Sequence, residues 1–286
     1  MKVSDITALT SQVLWAAFAV SLVFGIVAQR THFCTMGAIS DVVNMGDWTR
    51  MRQWGLAVGI AMIGFSAMAY AGWIDPAKSV YASNRWLWLS ALVGGAFFGF
   101  GMVLASGCGS KTLVRIGAGN LKSVVVFFVM GVAAFMTLKG ITAVLRVATV
   151  ERVAVDFPAG TTLTNWAAGA SGLPSVTAGL ALSLVIGGGL IVWALLGREF
   201  RQPDNLLAGF GIGAVVIGMW WVSGKLGYVA EHPETLQETF LATNTGRMEA
   251  LTFTAPMAYT LDWAMFFSDK DRKSTRLNSS HDQISY

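Results

Sequence analysis

Two cysteines are the residues of this chain best suited to chemistry, and each directly follows a long apolar run interrupted by glycine. Cys34 lies in Gln29-Arg30-Thr31-His32-Phe33-Cys34-Thr35-Met36-Gly37, after an apolar stretch that begins near Val13. Cys108 lies in Ser106-Gly107-Cys108-Gly109-Ser110-Lys111, after the run that begins at Leu87. Sulfur is soft and polarizable, and a break at the end of a hydrophobic segment frees backbone groups to line a cavity. This placement suits passage of a polar, sulfur-containing solute across a membrane better than it suits ordinary packing.

Around Cys108 the glycines at Gly107 and Gly109 let the backbone turn, and Ser110 is expected to cap a short helix running through Arg115. A helix N-terminus offers unpaired N–H groups and a partial positive charge, hence an anion site. Lys111 and Arg115 would add attraction. The competing reading, a small residue packed between helices, is as strong from these residues alone. Cys34 has fewer glycines beside it, so the residues predict that replacing it costs less. Its standing rises by recurrence, because span, break, cysteine and short Gly/Ser-containing segment occur twice. Many transporters build their site from such repeated halves with broken helices. The two cysteines end different segments, which disfavours a structural disulfide.

Other motifs carry less. Ser106–Thr112 comes near a phosphate-binding loop, but Ser110 stands where a glycine must directly precede the lysine. Gly209-Phe210-Gly211-Ile212-Gly213-Ala214 fits a loose dinucleotide pattern, yet it lies inside an apolar run instead of following a soluble strand. His32 and His232 have no metal-ligand spacing. Neither a metal nor a cofactor is expected.

The elements that position the cysteines follow from composition. Hydrophobic residues make up 54% of the 286, charged ones only 13%, and the mean hydropathy is +0.58. Soluble domains carry about 25% charged residues, so the chain reads as an integral membrane protein. Its 32 glycines and 11 tryptophans agree, since both are frequent in transmembrane helices or at their ends. Barrel strands would alternate over about ten residues, and these runs do not. The expected fold is all-α, a polytopic membrane helix bundle with glycine-broken helices and internal pseudo-repeats. Spans are predicted at 11–28, 53–73, 87–106, 122–146, 174–197 and 206–225; a seventh stretch, 248–267, contains Pro256 and reads as a broken or incompletely inserted helix. Small-xxx-small pairs at Gly55/Gly59, Gly95/Gly99 and Gly209/Gly213 allow close helix approach. The polar connections 148–173 and 226–247 read as solvated loops. Residues Met1–Thr10 are polar and the first run is long enough to stay as a helix, so no cleavable signal peptide is expected.

Basic residues divide almost evenly between the two sides. The denser clusters, with Arg30, Arg50, Arg52, Arg198 and Arg201, favour cytoplasm on theirs and an external N-terminus. A net charge of +4 on such a chain gives no reason to expect nucleic-acid binding. Residues 271–286 break the pattern abruptly. Asp271–His281 can be encoded by a DNA string that resembles a short-read library adapter, so 1–270 is expected to be the transmembrane transporter domain and 271–286 a disordered artefact.

Phe33-Cys34-Thr35-Met36-Gly37-Ala38, together with Gly99-Phe100-Gly101 and Gly107-Cys108-Gly109-Ser110, resembles the two cysteine segments of the YeeE/YedE (sulphur transport) family. Leu226-Gly227-Tyr228 and Thr243–Glu249 resemble its later part, so the resemblance covers about 11–270. It implies a helical, multi-pass protein of the bacterial inner membrane, made of pseudo-repeats and narrowed at its centre. There, cysteines pass thiosulfate or a related small sulfur-containing anion inward. Carried over, Cys34 and Cys108 are the relay thiols, and Gly107, Gly109 and Ser110 shape the passage. Members typically carry a further Gly-Cys segment beyond the point where this chain reaches Asp271.

The function expected is transport, not enzymatic catalysis. Its partners are the anion and the lipid bilayer, with a sulfurtransferase as a further one. Two alternatives stand beside it: a membrane-embedded sulfurtransferase with a cysteine persulfide, and an uncoupled pore or partner subunit. No base and orienting group accompany either thiol in the sequence, which weighs against the enzyme.

Overall fold

The computed structural model describes residues 3–158, 160–233, 236–243, 245–265 and 267. The expectation of a disordered 271–286 lies outside these residues. The chain divides into two compact units, Met1–Arg85 with Asp156–Leu251, and Trp86–Val155 with Thr252–Tyr286.

The helices run in chain order: α1 (Val3–Thr31), α2 (Thr35–Met45), α3 (Thr49–Tyr70), α4 (Trp88–Leu104), α5 (Gly109–Gly117), α6 (Leu121–Lys139), α7 (Ile141–Ala148), α8 (Leu163–Ser171), α9 (Ser175–Leu195), α10 (Pro203–Trp221) and α11 (Thr254–Met265). Among the described residues, strand is confined to two-residue pieces. Six helical segments among the described residues are long and apolar enough to cross a membrane: Asp5–Met45, Thr49–Tyr70, Trp88–Gly117, Leu121–Lys139, Ser175–Leu195 and Pro203–Leu226. The all-α polytopic expectation holds, and both cysteines fall inside such segments.

In the first unit α3 is central, packed against α9, α10 and α2. Its glycines set the approach. A Cβ on Gly59 would lie 2.6 Å from the Gly187 carbonyl oxygen, and one on Gly187 would lie 2.8 Å from that of Gly59, so these backbones touch. Gly213 similarly meets Ile60, and Gly209 meets Leu56. Leu56, Ala194 and Phe200 are fully buried beside this crossing. By contrast, Gly95 and Gly99 of α4 have nothing within 4 Å, although their sequence spacing is the same. Phe97, Phe100 and Leu104 on that helix are also exposed.

Two expectations need correction and one is sharpened. The run predicted over 122–146 breaks at Gly140, whose extended backbone ends α6 before α7 starts. Glycine weakens a helix interior by about 1 kcal/mol. In the stretch 248–267 the helix is short: α11 begins at Thr254, so Pro256 falls in its first turn, where its missing N–H costs nothing. The connection 226–247 is not simply solvated. A π turn, Val222–Leu226, leads into a ladder pairing Tyr228 with Phe240 and Val229 with Thr239. Val229, His232, Phe240 and Leu241 are buried, and Val80 N donates to Met248 O at 3.1 Å.

Candidate cysteine site and family membership

Each cysteine sits in the same local device. A long helix ends, and two residues before the cysteine a non-glycine residue turns left-handed: His32 at φ 52° and Ser106 at φ 56°. The cysteine follows in extended conformation as the N-cap of a short helix, Cys34 for α2 and Cys108 for α5. A glycine with positive φ closes that short helix, Gly46 at 69° and Gly119 at 84°, and a long helix then starts. Left-handed backbone disfavours a side chain by about 1–2 kcal/mol, so a shape used twice at that cost is imposed by its surroundings. The internal pseudo-repeat is thus present in the backbone.

Cys34 is 7% exposed. Its sulfur accepts a hydrogen bond from Gly37 N at 3.4 Å, taking the place of the usual Ser or Asp cap. Gly37 leaves room for Arg50: a Cβ there would lie 2.6 Å from Arg50 Nη1 and 3.6 Å from Cys34 Cβ. The guanidinium therefore lies over the first turn of α2, within reach of anything bound at the thiol. Arg50 Nε is also 3.3 Å from Asp41 Oδ2, which fixes its direction. Phe33 packs on Trp54 at 4.6 Å between centroids, and the Trp54 indole nitrogen is buried without an acceptor.

Cys108 is half-buried, and its sulfur lies 3.1 Å from Ser110 Oγ. The serine was expected to be the helix cap; instead Cys108 holds the N-cap position, and its side chain makes no capping bond. Thr112 Oγ1 donates to Cys108 O at 3.1 Å, completing the first turn. At Gly107 a Cβ would lie 2.9 Å from Lys111 Cδ, so the lysine stem folds back over the break. At Gly109 a Cβ would lie 3.2 Å from Phe253 Cβ, 3.5 Å from Met257 Cε and 3.7 Å from Met130 Sδ. That glycine lets α5 settle between α6 and α11, with methionine sulfur beside it.

The second unit thus brings Cys108, Gly107, Gly109 and Ser110 together, while Cys34 belongs to the first. Sequence reasoning missed Arg50, Asp41, Met130 and Met257 as neighbours. Arg50 reaches the turn of Cys34 through the packing of α3 on α2, and nothing in local spacing announces that. Among the described residues, no group of His, Cys, Asp or Glu is arranged to hold a metal ion.

A family model described as Sulphur transport matches residues 30–279, a range that includes both devices. The chain belongs to the sulphur transport family. It is a multi-pass membrane protein, with six helical segments fit to span among the described residues. It is also similar to two proteins named thiosulfate transporter TsuA. The one from Escherichia coli (strain K12) is 31% identical over 104 residues, which is 36% of this chain and 28% of that protein. The one from Spirochaeta thermophila is 30% identical over 129 residues, 44% of this chain and 37% of that protein. This chain therefore matches well under half the length of either relative. Both are named as transporters, and neither as an enzyme.

Proposed function

We propose that this protein moves thiosulfate, or a closely related sulfur oxyanion, across the bacterial inner membrane by handing it between Cys34 and Cys108. The observation that carries this reading is the repeated device: a break inside a membrane-competent segment with a cysteine at the N-cap of the helix that resumes. The family and the names of the two relatives support the solute class. At each stop the thiol donates S–H to the terminal sulfur of the anion. The first-turn N–H groups and, at Cys34, the Arg50 guanidinium face its oxygens. Gly107, Gly109 and Ser110 keep the Cys108 stop narrow. No covalent bond forms, so the solute leaves unchanged. A sulfurtransferase on the cytoplasmic side is the proposed acceptor of the sulfur.

The test is alkylation of each cysteine by a membrane-permeant maleimide, read by peptide mass spectrometry. Thiosulfate is expected to slow labelling of both thiols, and sulfate much less. Equal labelling with and without thiosulfate would contradict the relay. The sulfurtransferase alternative has a different signature. A thiolate attacking the outer sulfur of thiosulfate breaks its S–S bond, releases sulfite and leaves a persulfide, one sulfur atom heavier. Recovery of that mass on Cys108 would favour the enzyme.

That 271–286 is translated adapter also stays a proposal, set against a family match that continues past Lys270 to residue 279. Reading the source gene beyond codon 270 tests it. Further apolar spans and another Gly-Cys segment would support it, and Asp271–Tyr286 followed by a stop codon would refute it.

A further inference from the structure

We propose that a concavity at the α3–α9 end of the first unit is an oxyanion-binding site, with Arg52 as its recognition group. The cavity, about 540 Å³, is lined by Asp47, Trp48, Arg52, Leu196, Arg198 and Glu199, among others. Arg52 is held there by its surroundings. Its guanidinium stacks over the Trp193 ring at 5.6 Å, and Gly197 is the gap it fills, since any Cβ at that position would overlap Arg52 Nη1. Its Nε is buried with no hydrogen-bond partner, and among the described residues it forms no ion pair. A buried N–H without a partner is costly, and the half-buried Arg52 side chain contributes to the cavity lining.

Among the described residues no carboxylate forms an ion pair with it. Asp47 Oδ1 accepts from Thr49 N at 2.8 Å at the start of α3; hydrogen bonds from Thr49, with smaller attractions from Arg50 and Arg52, hold its carboxyl below the usual carboxylate range. Glu199 is exposed at the rim. Arg198 adds a second cation to the lining. A planar fork backed by an aromatic ring and joined by a second arginine suits a tetrahedral oxyanion taken bidentately. The site is separate from the Cys34 stop, because Met45 and Gly46 at its edge lie at the far end of α2, about 16 Å along the helix.

Two sources supply such an oxyanion. The rim carries Trp48, 49% exposed, and Leu196, 67% exposed, at the ends of membrane-competent helices, which is where a phospholipid headgroup sits. Free phosphate or a sulfur oxyanion has the same chemistry. The test is arginine modification by phenylglyoxal on the full chain in nanodiscs, quantified peptide by peptide. The three conditions are phosphatidylcholine alone, phosphatidylcholine with phosphatidylglycerol, and phosphatidylcholine with sodium phosphate against matched chloride. Modification of Arg52 is expected to slow by about tenfold or more, while Arg247, exposed and outside the cavity, is unaffected. Protection by phosphatidylglycerol identifies the lipid headgroup, and protection by phosphate in phosphatidylcholine alone identifies the free ion. Arg52→Gln should abolish any rise in unfolding temperature that the protecting probe gives the wild type. Failure of both probes to protect Arg52, equal protection of Arg247, or an undiminished temperature rise in Arg52→Gln would overturn the site.

Discussion

Cys34 and Cys108 occupy matching backbone positions but differ in how their sulfurs are engaged. The Cys34 sulfur is buried and already caps its helix through Gly37 N, whereas the Cys108 side chain makes no capping bond to α5 and its sulfur lies 3.1 Å from Ser110 Oγ. An uncapped N-terminus has donors to offer an anion; at Cys34 the offer comes from Arg50 instead. Arg50→Gln should therefore weaken thiosulfate protection of Cys34 by about tenfold, the worth of a charge-assisted hydrogen bond, and leave protection of Cys108 unchanged. Alkylation rates against thiosulfate concentration measure both at once. Equal weakening at the two cysteines would show a general loss of structure. This difference between the cysteines was not legible in the sequence. Glycines around Cys108 marked it as the stronger candidate, but the basic group beside Cys34 comes from another helix, and only packing brings it there.

At the scale of elements, membrane spans were easy to read because about 20 apolar residues are needed to cross a bilayer. Their ends were harder, since capping is settled by single side chains. With Asp47 accepting from Thr49 N, α3 starts at Thr49 instead of residue 53, and Gly140 splits what hydrophobicity joined. Three small-residue pairs looked alike in sequence, yet only those on α3 and α10 meet another helix. Gly59→Leu should therefore destabilise the fold by about 1–3 kcal/mol, because Gly187 backbone occupies the space, whereas Gly95→Leu on α4 should be close to neutral. Thermal unfolding in detergent distinguishes them, and equal losses would contradict the α3–α9 contact. A second test concerns the loop after α10, where Lys78 pairs with Glu238 and stacks on Tyr228 at 4.9 Å. Hydrogen bonding to Lys78 holds Glu238 below the carboxylate range, and the same bond raises Lys78. The stabilisation from Glu238 is complete above its unfolded value of about 4.3 and disappears as pH falls through its lowered folded value; that from Lys78 is complete below about 10.4 and disappears as pH rises through its raised one. Both groups are partly exposed, so Glu238→Gln should cost less than about 1 kcal/mol near neutral pH and flatten both limbs. A profile of unfolding temperature against pH that Glu238→Gln leaves unchanged would contradict the pairing.

For the molecule as a whole, the sequence disclosed the class and the duplicated break, because composition and glycine breaks are local properties. It did not disclose that each break is made by a left-handed non-glycine residue, since His32 and Ser106 have no preference strong enough to announce that conformation. Nor did it show that the arginines at one end of the first unit divide their work. Arg30 pairs with Asp204, Arg50 with Asp41, and Arg52, which forms no ion pair among the described residues, lines its cavity. The account rests on both cysteines serving one solute, and uptake of sulfur-labelled thiosulfate by cells expressing the full-length gene tests that most directly. Cys108→Ser keeps size and a hydrogen-bonding group but removes soft sulfur. The account predicts that uptake falls to background in Cys108→Ser and drops clearly, though less, in Cys34→Ser, with both proteins present in the membrane at wild-type levels. Wild-type uptake in Cys108→Ser would contradict it.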